Sequence, residues 1–230
     1  GIYVTDIDPV DGNVDGNVDA ACRKVASDPG HIVFGPSWSP DGQWIAYTNC
    51  DGVNDPGHDW ADIWVVSPDG EEQMAVGWGR NHWLSPAWGT KEWHGRGSNV
   101  STWSPLSNTL TYTRGTEGSR PPWVFQADRP DTDHFNRELV PEQAMGGTDI
   151  CLADVDIGST VPITQSGSNN MWDFRTVWSP DGSRIVFCRA MVGRPSELWI
   201  MDTDGRNQRA LTLGWEHRGA DHPRWIPDVS

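Results

Sequence analysis

The chain has 230 residues, with 17 Lys and Arg against 32 Asp and Glu, which gives a formal net charge of -15 at pH 7. So acidic a chain is poorly suited to nucleic acid or to an anionic membrane, because both are bound by basic patches. No apolar run approaches the about 18 residues of a membrane-spanning helix. The 15 Trp residues indicate a repeated structural position or an aromatic binding surface.

The N-terminal segment reads as two short strands, at about 2–7 and 21–26, joined by an acidic, Gly-rich loop. The loop follows the pattern D-x-N-x-D-G-x-x-D, which is typical of the front of a calcium loop. Its candidate Ca2+ ligands are Asp11, Asn13, Asp15 and Asp19. Position 12 should be a bidentate Glu and is Cys22. The loop is therefore either a calcium-stabilised turn or a solvated acidic hairpin loop.

One motif recurs along the chain with a Trp at its start. Trp38–Tyr47 (WSPDGQWIAY) returns as Trp178–Phe187 (WSPDGSRIVF), and a degenerate copy covers Trp103–Tyr112. A truncated copy stands at 224–228. Each copy predicts a strand, a tight Pro-Asp-Gly turn and a second, half-buried strand. The recurring Trp residues are therefore predicted to be structural.

A second motif follows the first and completes the repeat. Asp62–Gly70 (DIWVVSPDG) matches Leu198–Gly205, and weaker copies stand at Asp149–Asp154 and Ile2–Asp6. Each predicts a strand, a turn and a further strand. Four antiparallel strands per repeat are typical of a propeller blade.

The two motifs together resemble the PD40 repeat of the TolB-like family, which is related to WD40-like repeats, and the resemblance covers most of the chain. It implies an all-β propeller of four-stranded antiparallel blades, about four of them visible. Propellers host many unrelated activities, so the resemblance is specific for fold and weak for function.

Counting strands gives the expected domain organisation. We predict one β-propeller domain over 1–230. It is either a closed four-bladed ring or, as we favour, an incomplete propeller, which is a fragment of a larger one or needs a partner to cover its open edges. Its predicted parts are a partial blade at 1–35, complete blades at about 36–77, 99–165 and 175–214, and a partial blade at 221–230.

The two faces of such a propeller differ. The turns between strands 1 and 2 and between strands 3 and 4 lie on one side, the turn face, and Pro-Asp-Gly turns keep most of that side short. The opposite side, the long-loop face, carries the remaining connections. One of these is an insertion at 113–148, which is far longer than a usual connection.

The loops of the long-loop face also collect unusual side chains. They could bind a sugar, a metal or a protein partner, or they could simply pack loops between blades. The candidate binding residues are His82, Trp83, Trp172, Asp173, His217, Asp221 and His222.

These features favour a non-enzymatic interaction module that docks onto a larger extracytoplasmic assembly, periplasmic or secreted. The alternative is a carbohydrate-binding or lyase-like propeller that takes oligosaccharides. Oligogalacturonate lyases look like TolB-type propellers with a His-rich metal site, a part that His82, His217 and His222 could play, although no full lyase motif aligns. Two alternatives remain for the cysteines, which form either two disulfides or four buried thiols: Cys22, Cys50, Cys151 and Cys188.

Overall fold

The structure is a computed structural model that describes residues 1–5, 22–50, 61–77, 101–116, 119, 123–125, 137–139, 141–212, 220 and 223–226. Within these ranges the chain is built from β-strands, with two 3-10 turns at Pro141–Gln143 and Ser166–Ser168. None of the described residues belongs to a helix that is long and apolar enough to cross a membrane.

The first half of the chain forms two antiparallel sheets. A two-stranded sheet pairs β1 (Ile2–Thr5) with β2 (Cys22–Ala26). A four-stranded sheet follows in the order β3-β4-β5-β6, with bounds Ile32–Trp38, Ile45–Cys50, Ala61–Val66 and Gln73–Gly77. This second sheet is one complete blade.

The second half holds two further blades. The strands of the next blade are β7 (Thr102–Trp103), β8 (Thr109–Gly115), β11 (Thr148–Asp154) and β12 (Ser159–Pro162). Between β8 and β11 the insertion forms its own two-stranded sheet of β9 (Trp123–Phe125) and β10 (Arg137–Leu139). The last blade contains β13 (Met171–Trp178), β14 (Arg184–Met191), β15 (Arg194–Asp202) and β16 (Arg209–Ala210).

These strands confirm the predicted fold class, an all-β propeller of four-stranded antiparallel blades. The last two blades are joined by one parallel bridge, between Thr148 of β11 and Trp172 of β13. No closed sheet is found among the described residues.

Each Ser-Pro-Asp-Gly turn is closed by the same pair of side chains. In the turn between β13 and β14, Ser179 Oγ donates to Asp181 Oδ1 at 2.6 Å and accepts the backbone N–H of Arg184 at 2.9 Å. Hydrogen bonds from the Ser179 hydroxyl and from the backbone N–H and hydroxyl of Ser183 hold the pKa of Asp181 down, to about 2, because they stabilise its ionised form. The same arrangement recurs at Ser39 with Asp41 and at Ser67 with Asp69.

The first strands begin earlier than the predicted blade starts at 36 and 175. β3 starts at Ile32 and β13 at Met171, because each continues past a β-bulge in its pairing with the next strand. Gly35 and Arg175 occupy equivalent positions in the two bulges, with φ of 65° and 52°. A bulge interrupts the alternation of inward-facing and outward-facing residues along a strand. The sequence pattern therefore predicts a loop where the N-terminal half of each strand lies.

Cys22, Cys151 and Cys188 are thiols, and Cys151 and Cys188 are buried. With three of the four cysteines as thiols, the two-disulfide alternative does not describe this structure.

The recurring Trp of the first strand joins each blade to the one before it. Trp178 Nε1 donates to the carbonyl oxygen of Thr102 at 3.1 Å, and Trp103 Nε1 donates to that of Ser37 at 3.0 Å. In both cases the acceptor immediately precedes the Trp of the previous blade. Trp38 itself is 51% exposed. Trp103 and Trp178 are therefore inter-blade contacts, whereas Nε1 of Trp225, in the truncated copy, is buried with no hydrogen-bond partner among the described residues.

We expect Trp178→Phe to lower the free energy of unfolding by about 1–2 kcal/mol, because it removes this hydrogen bond while keeping an aromatic ring in place. The matched control Trp38→Phe should change it by less than about 0.5 kcal/mol, since that side chain is half exposed. Urea denaturation of both variants measures the difference, and equal losses would contradict the inter-blade role.

Candidate functional site

Two of the seven predicted binding residues, Trp172 and Asp173, lie in the described part of the chain. The other predicted binding and calcium-ligand positions lie outside the described residues: His82, Trp83, His217, Asp221, His222, Asp11, Asn13, Asp15 and Asp19. Among the described residues, no three His, Cys, Asp or Glu side chains are grouped as metal ligands. Calcium binding at 11–19 stays a prediction.

Trp172 and Asp173 lie in strand β13, which corrects their predicted place in a loop. Register explains the difference, since Trp172 pairs with Ala190 and Asp173 pairs with Arg189 of β14. Trp172 is 2% exposed and Asp173 is fully buried. Both side chains are thus part of the scaffold that carries the loops.

Asp173 forms a buried ion pair with Arg189. Arg189 Nε donates to Asp173 Oδ1 at 2.7 Å, and Arg189 Nη2 donates to Oδ2 at 2.8 Å. The same Nη2 donates to Ser166 Oγ and to Gln208 Oε1, both at 2.9 Å. The guanidinium also lies 4.4 Å from the ring centroid of Trp199. Both carboxylate oxygens are engaged by the fork of one Arg, a geometry that fixes the orientation of both side chains.

Trp172 connects this core to the insertion. Its Nε1 donates to Ser119 Oγ at 3.3 Å, and Ser119 is 1% exposed. Where the insertion leaves and rejoins the sheet, Thr116 N–H donates to Gly147 O at 3.1 Å. A Cβ on Gly147 would stand 2.1 Å from Met171 O, so only Gly fits this close approach. We call Thr116, Ser119, Gly147 and Trp172 the insertion base.

Two further polar contacts fix the strands around Asp173. Thr148 Oγ1 donates to the carbonyl oxygen of Asp173 at 2.8 Å. The Asp149 carboxylate accepts the backbone N–H of Gly167 at 2.8 Å. Burial raises the pKa of Asp149, and the nearby charge of Asp173 adds to this rise.

A cavity of about 340 Å³ opens beside the ion pair, lined by polar side chains that include Thr164, Gln165, Ser166, Arg189 and Gln208. Because Asp173 neutralises Arg189, the cavity offers hydrogen bonds and no net charge from this pair. Such a lining suits neutral polar groups, such as a peptide carbonyl or a sugar hydroxyl, better than an anion.

Arg189 and Ser119 were not among the residues predicted from the sequence. Arg189 had a readable signal, because it interrupts the apolar strand Arg184–Met191 and a charged residue in such a strand needs a buried partner. Ser119 had none, because nothing in the local sequence shows that it meets Trp172.

No protein-family model matches the sequence. Over 82 residues the chain is 34% identical to a protein of Bacillus subtilis (strain 168) named uncharacterized peptidase YuxL. The match spans 35% of this chain and 12% of that protein. The similarity is therefore limited to about a third of this chain and to a small part of a much longer protein.

Two solved structures share the fold over most of the chain. A prolyl endopeptidase matches 89% of the chain with a TM-score of 0.52 and 13% identity. A puromycin-hydrolyzing peptidase of Mycobacterium tuberculosis matches 94% with a TM-score of 0.53 and 12% identity. The chain spans 26% and 29% of their lengths, and these likenesses show the fold alone.

TolB of Acinetobacter baumannii is also similar, with 17% identity and a TM-score of 0.31 over 83% of this chain and 46% of that one. This likeness is too distant to assign the chain to a family.

We expect Arg189→Met to destabilise the protein by about 3–5 kcal/mol, because it leaves the Asp173 carboxylate buried without its cation. Arg184→Met is the matched control, since it removes the partly exposed pair with Asp202 and should cost at most about 1 kcal/mol. Chemical denaturation of both variants at neutral pH tests the contrast. A loss of similar size in the two variants would contradict the structural role of the buried pair.

We expect Asp149→Asn to raise the melting temperature at pH 7. The Asn keeps an oxygen for the Gly167 N–H and removes a half-buried charge near Asp173. A raised pKa means that ionised Asp149 destabilises the folded state. The gain should therefore shrink as the pH falls towards the ordinary Asp value of 3.8. Melting curves of the two proteins from acid to neutral pH measure this, and a gain that grows on acidification would contradict it.

Proposed function

We propose that the chain is a non-enzymatic protein-interaction module that docks onto a larger extracytoplasmic assembly through the insertion at 113–148. The observation that carries this proposal is the insertion base. The insertion leaves β8, forms the β9–β10 hairpin and returns to β11 over buried contacts with β13. A long connection with its own secondary structure on a rigid scaffold is the usual form of a recognition element.

The insertion base supports a defined orientation of the insertion. Gly147 allows close backbone approach, and Thr116 Oγ1 donates to Gly147 O at 3.2 Å while accepting the Gly147 N–H at 3.2 Å. The Trp172 indole adds a contact from the neighbouring blade. Because the insertion base already orders the ends of the insertion, less conformational entropy is lost when the insertion docks onto a partner.

The hairpin favours a protein over a glycan as the partner. Among the described residues, β9 and β10 pair with each other only, so the described hairpin leaves backbone groups on its outer edges available. Strand edges of this kind accept a further strand from another protein. The extracytoplasmic setting rests on the resemblance of the repeats to those of TolB-like proteins.

We expect replacement of residues 120–144 by a short Gly-Ser linker to abolish partner binding while the blades stay folded. The measurement is cross-linking and affinity purification of the tagged full chain from its source organism, with a replicate set of the replaced variant. Circular dichroism and a melting curve report whether the blades are intact.

Ser119→Ala is the matched control, because it removes the acceptor of the Trp172 indole and keeps the insertion. It should lower the free energy of unfolding by about 1 kcal/mol and weaken partner binding without abolishing it, because the insertion stays in place. A partner set that survives loss of the insertion would overturn the proposal. Binding to a glycan array that is lost in His82→Ala or His222→Ala would favour the carbohydrate alternative instead.

A further inference from the structure

The two junctions between complete blades are packed differently. The first junction lies between the β3–β6 sheet and the blade that begins with β7. There Trp44 and Met74 pack against a buried cluster that includes Val65, Tyr112 and Ala153. Two large side chains thus fill the space between the blades at the turn face.

The second junction lies between the blade that begins with β7 and the one that begins with β13. Alignment of the repeats places Thr109 where the first junction has Trp44. Strand register places Val161, paired with Leu152, where the first junction has Met74, paired with Val65. Both replacements are smaller, and a groove of about 590 Å³ opens beside them.

The groove has an apolar part and a polar part, the latter including Ser104, Thr109 and Thr203. Its walls include Leu106, Leu152, Val161 and Trp178. Leu106 is 71% exposed and Val161 is 51% exposed, so two of these walls face solvent. Leu106 stands where the other Ser-Pro turns have Asp41 and Asp181, which means that the degenerate repeat has exchanged a turn carboxylate for an apolar wall.

The rim of the groove is acidic. Asp204 lines it directly, and Asp181 precedes Gly182, which lines it as well. The charge of Asp204 is partly offset by the exposed Arg206 at 3.4 Å, while Arg184 is paired with Asp202 outside the groove lining. Together with the chain's net charge of -15, this rim favours a basic partner.

We propose that this groove binds an aromatic side chain of a partner protein, presented between Lys or Arg residues. The first junction shows what fits, since an indole occupies the equivalent space there. The flanking cations would meet the Asp-rich turns. The groove lies on the turn face, at the strand ends opposite the insertion, so it does not depend on docking through the insertion.

The test uses the full chain and three short peptides: N-acetyl-Lys-Trp-Lys-amide, N-acetyl-Lys-Ala-Lys-amide and N-acetyl-Glu-Trp-Glu-amide. We expect the first to bind at low salt with a Kd below about 1 mM, and the other two to bind about tenfold more weakly or worse. Two-dimensional NMR titration should place the shifts at Leu106, Val161 and Trp178. No saturable binding of the first peptide, or equal binding of all three, would overturn the proposal.

Groove-filling variants separate this site from general attraction to an acidic protein. Thr109→Trp copies the first junction and should abolish binding, and Val161→Met should weaken it by about fivefold or more. Leu106→Asp restores the residue of the other turns and gives a second variant that should fold if Thr109→Trp does not. Val192→Met is the control, a matched enlargement at an exposed residue outside the groove lining. Unchanged affinity in the folded groove variants would overturn the site.

Discussion

The hydrogen bonds from Trp103 and Trp178 to the preceding blade set the geometry on which the rest of the chain depends. Trp103 donates to the carbonyl oxygen of Ser37, just before Trp38, and Trp178 donates to that of Thr102, just before Trp103. Successive first strands are therefore held in the same register. A buried cluster of hydroxyls from Thr102, Thr111 and Thr176 lies beside this contact, with separations of 2.6–2.9 Å. Because these contacts hold the first strands together, the loops and turns of both faces can differ between blades while the arrangement of the blades is kept.

The blade that begins with β7 shows how far that variation goes. It keeps the Trp, and Ser104 still accepts a turn N–H, but the Asp of the turn is Leu106. The Asn108 side chain donates instead to Asp41 of the neighbouring blade at 2.7 Å and to Asp156 of its own blade at 2.9 Å. Asn108 thus links this turn to Asp41 of the neighbouring blade, and an apolar residue, Leu106, takes the place of the usual turn Asp.

Much of the fold could be predicted from the sequence, because each Ser-Pro-Asp-Gly turn is stabilised by residues that are adjacent in the chain. The N-terminal halves of β3 and β13 could not be predicted, because the bulges at Gly35 and Arg175 interrupt the two-residue alternation of apolar and polar side chains. Trp172 and Asp173 were singled out as unusual, yet their partners Ser119 and Arg189 stand 53 and 16 residues away. The Asp173–Arg189 pair depends on the register of two strands within one blade, and the Trp172–Ser119 contact depends on how the insertion packs against the next blade. The charged Arg189 in an apolar strand indicates a buried partner, but the local sequence does not identify that partner.

The buried ion pair also decides where selectivity can reside. A ligand that enters the cavity beside Arg189 meets a guanidinium whose charge is already balanced by Asp173 at 2.7 Å, so charge contributes little to its recognition there. The insertion and the groove at the second junction differ from this cavity. Among the described residues β9 and β10 pair only with each other, and Leu106 and Val161 of the groove are exposed. Under the two proposals, recognition takes place at the ends of the strands, on both faces, and the ion pair holds those ends in position.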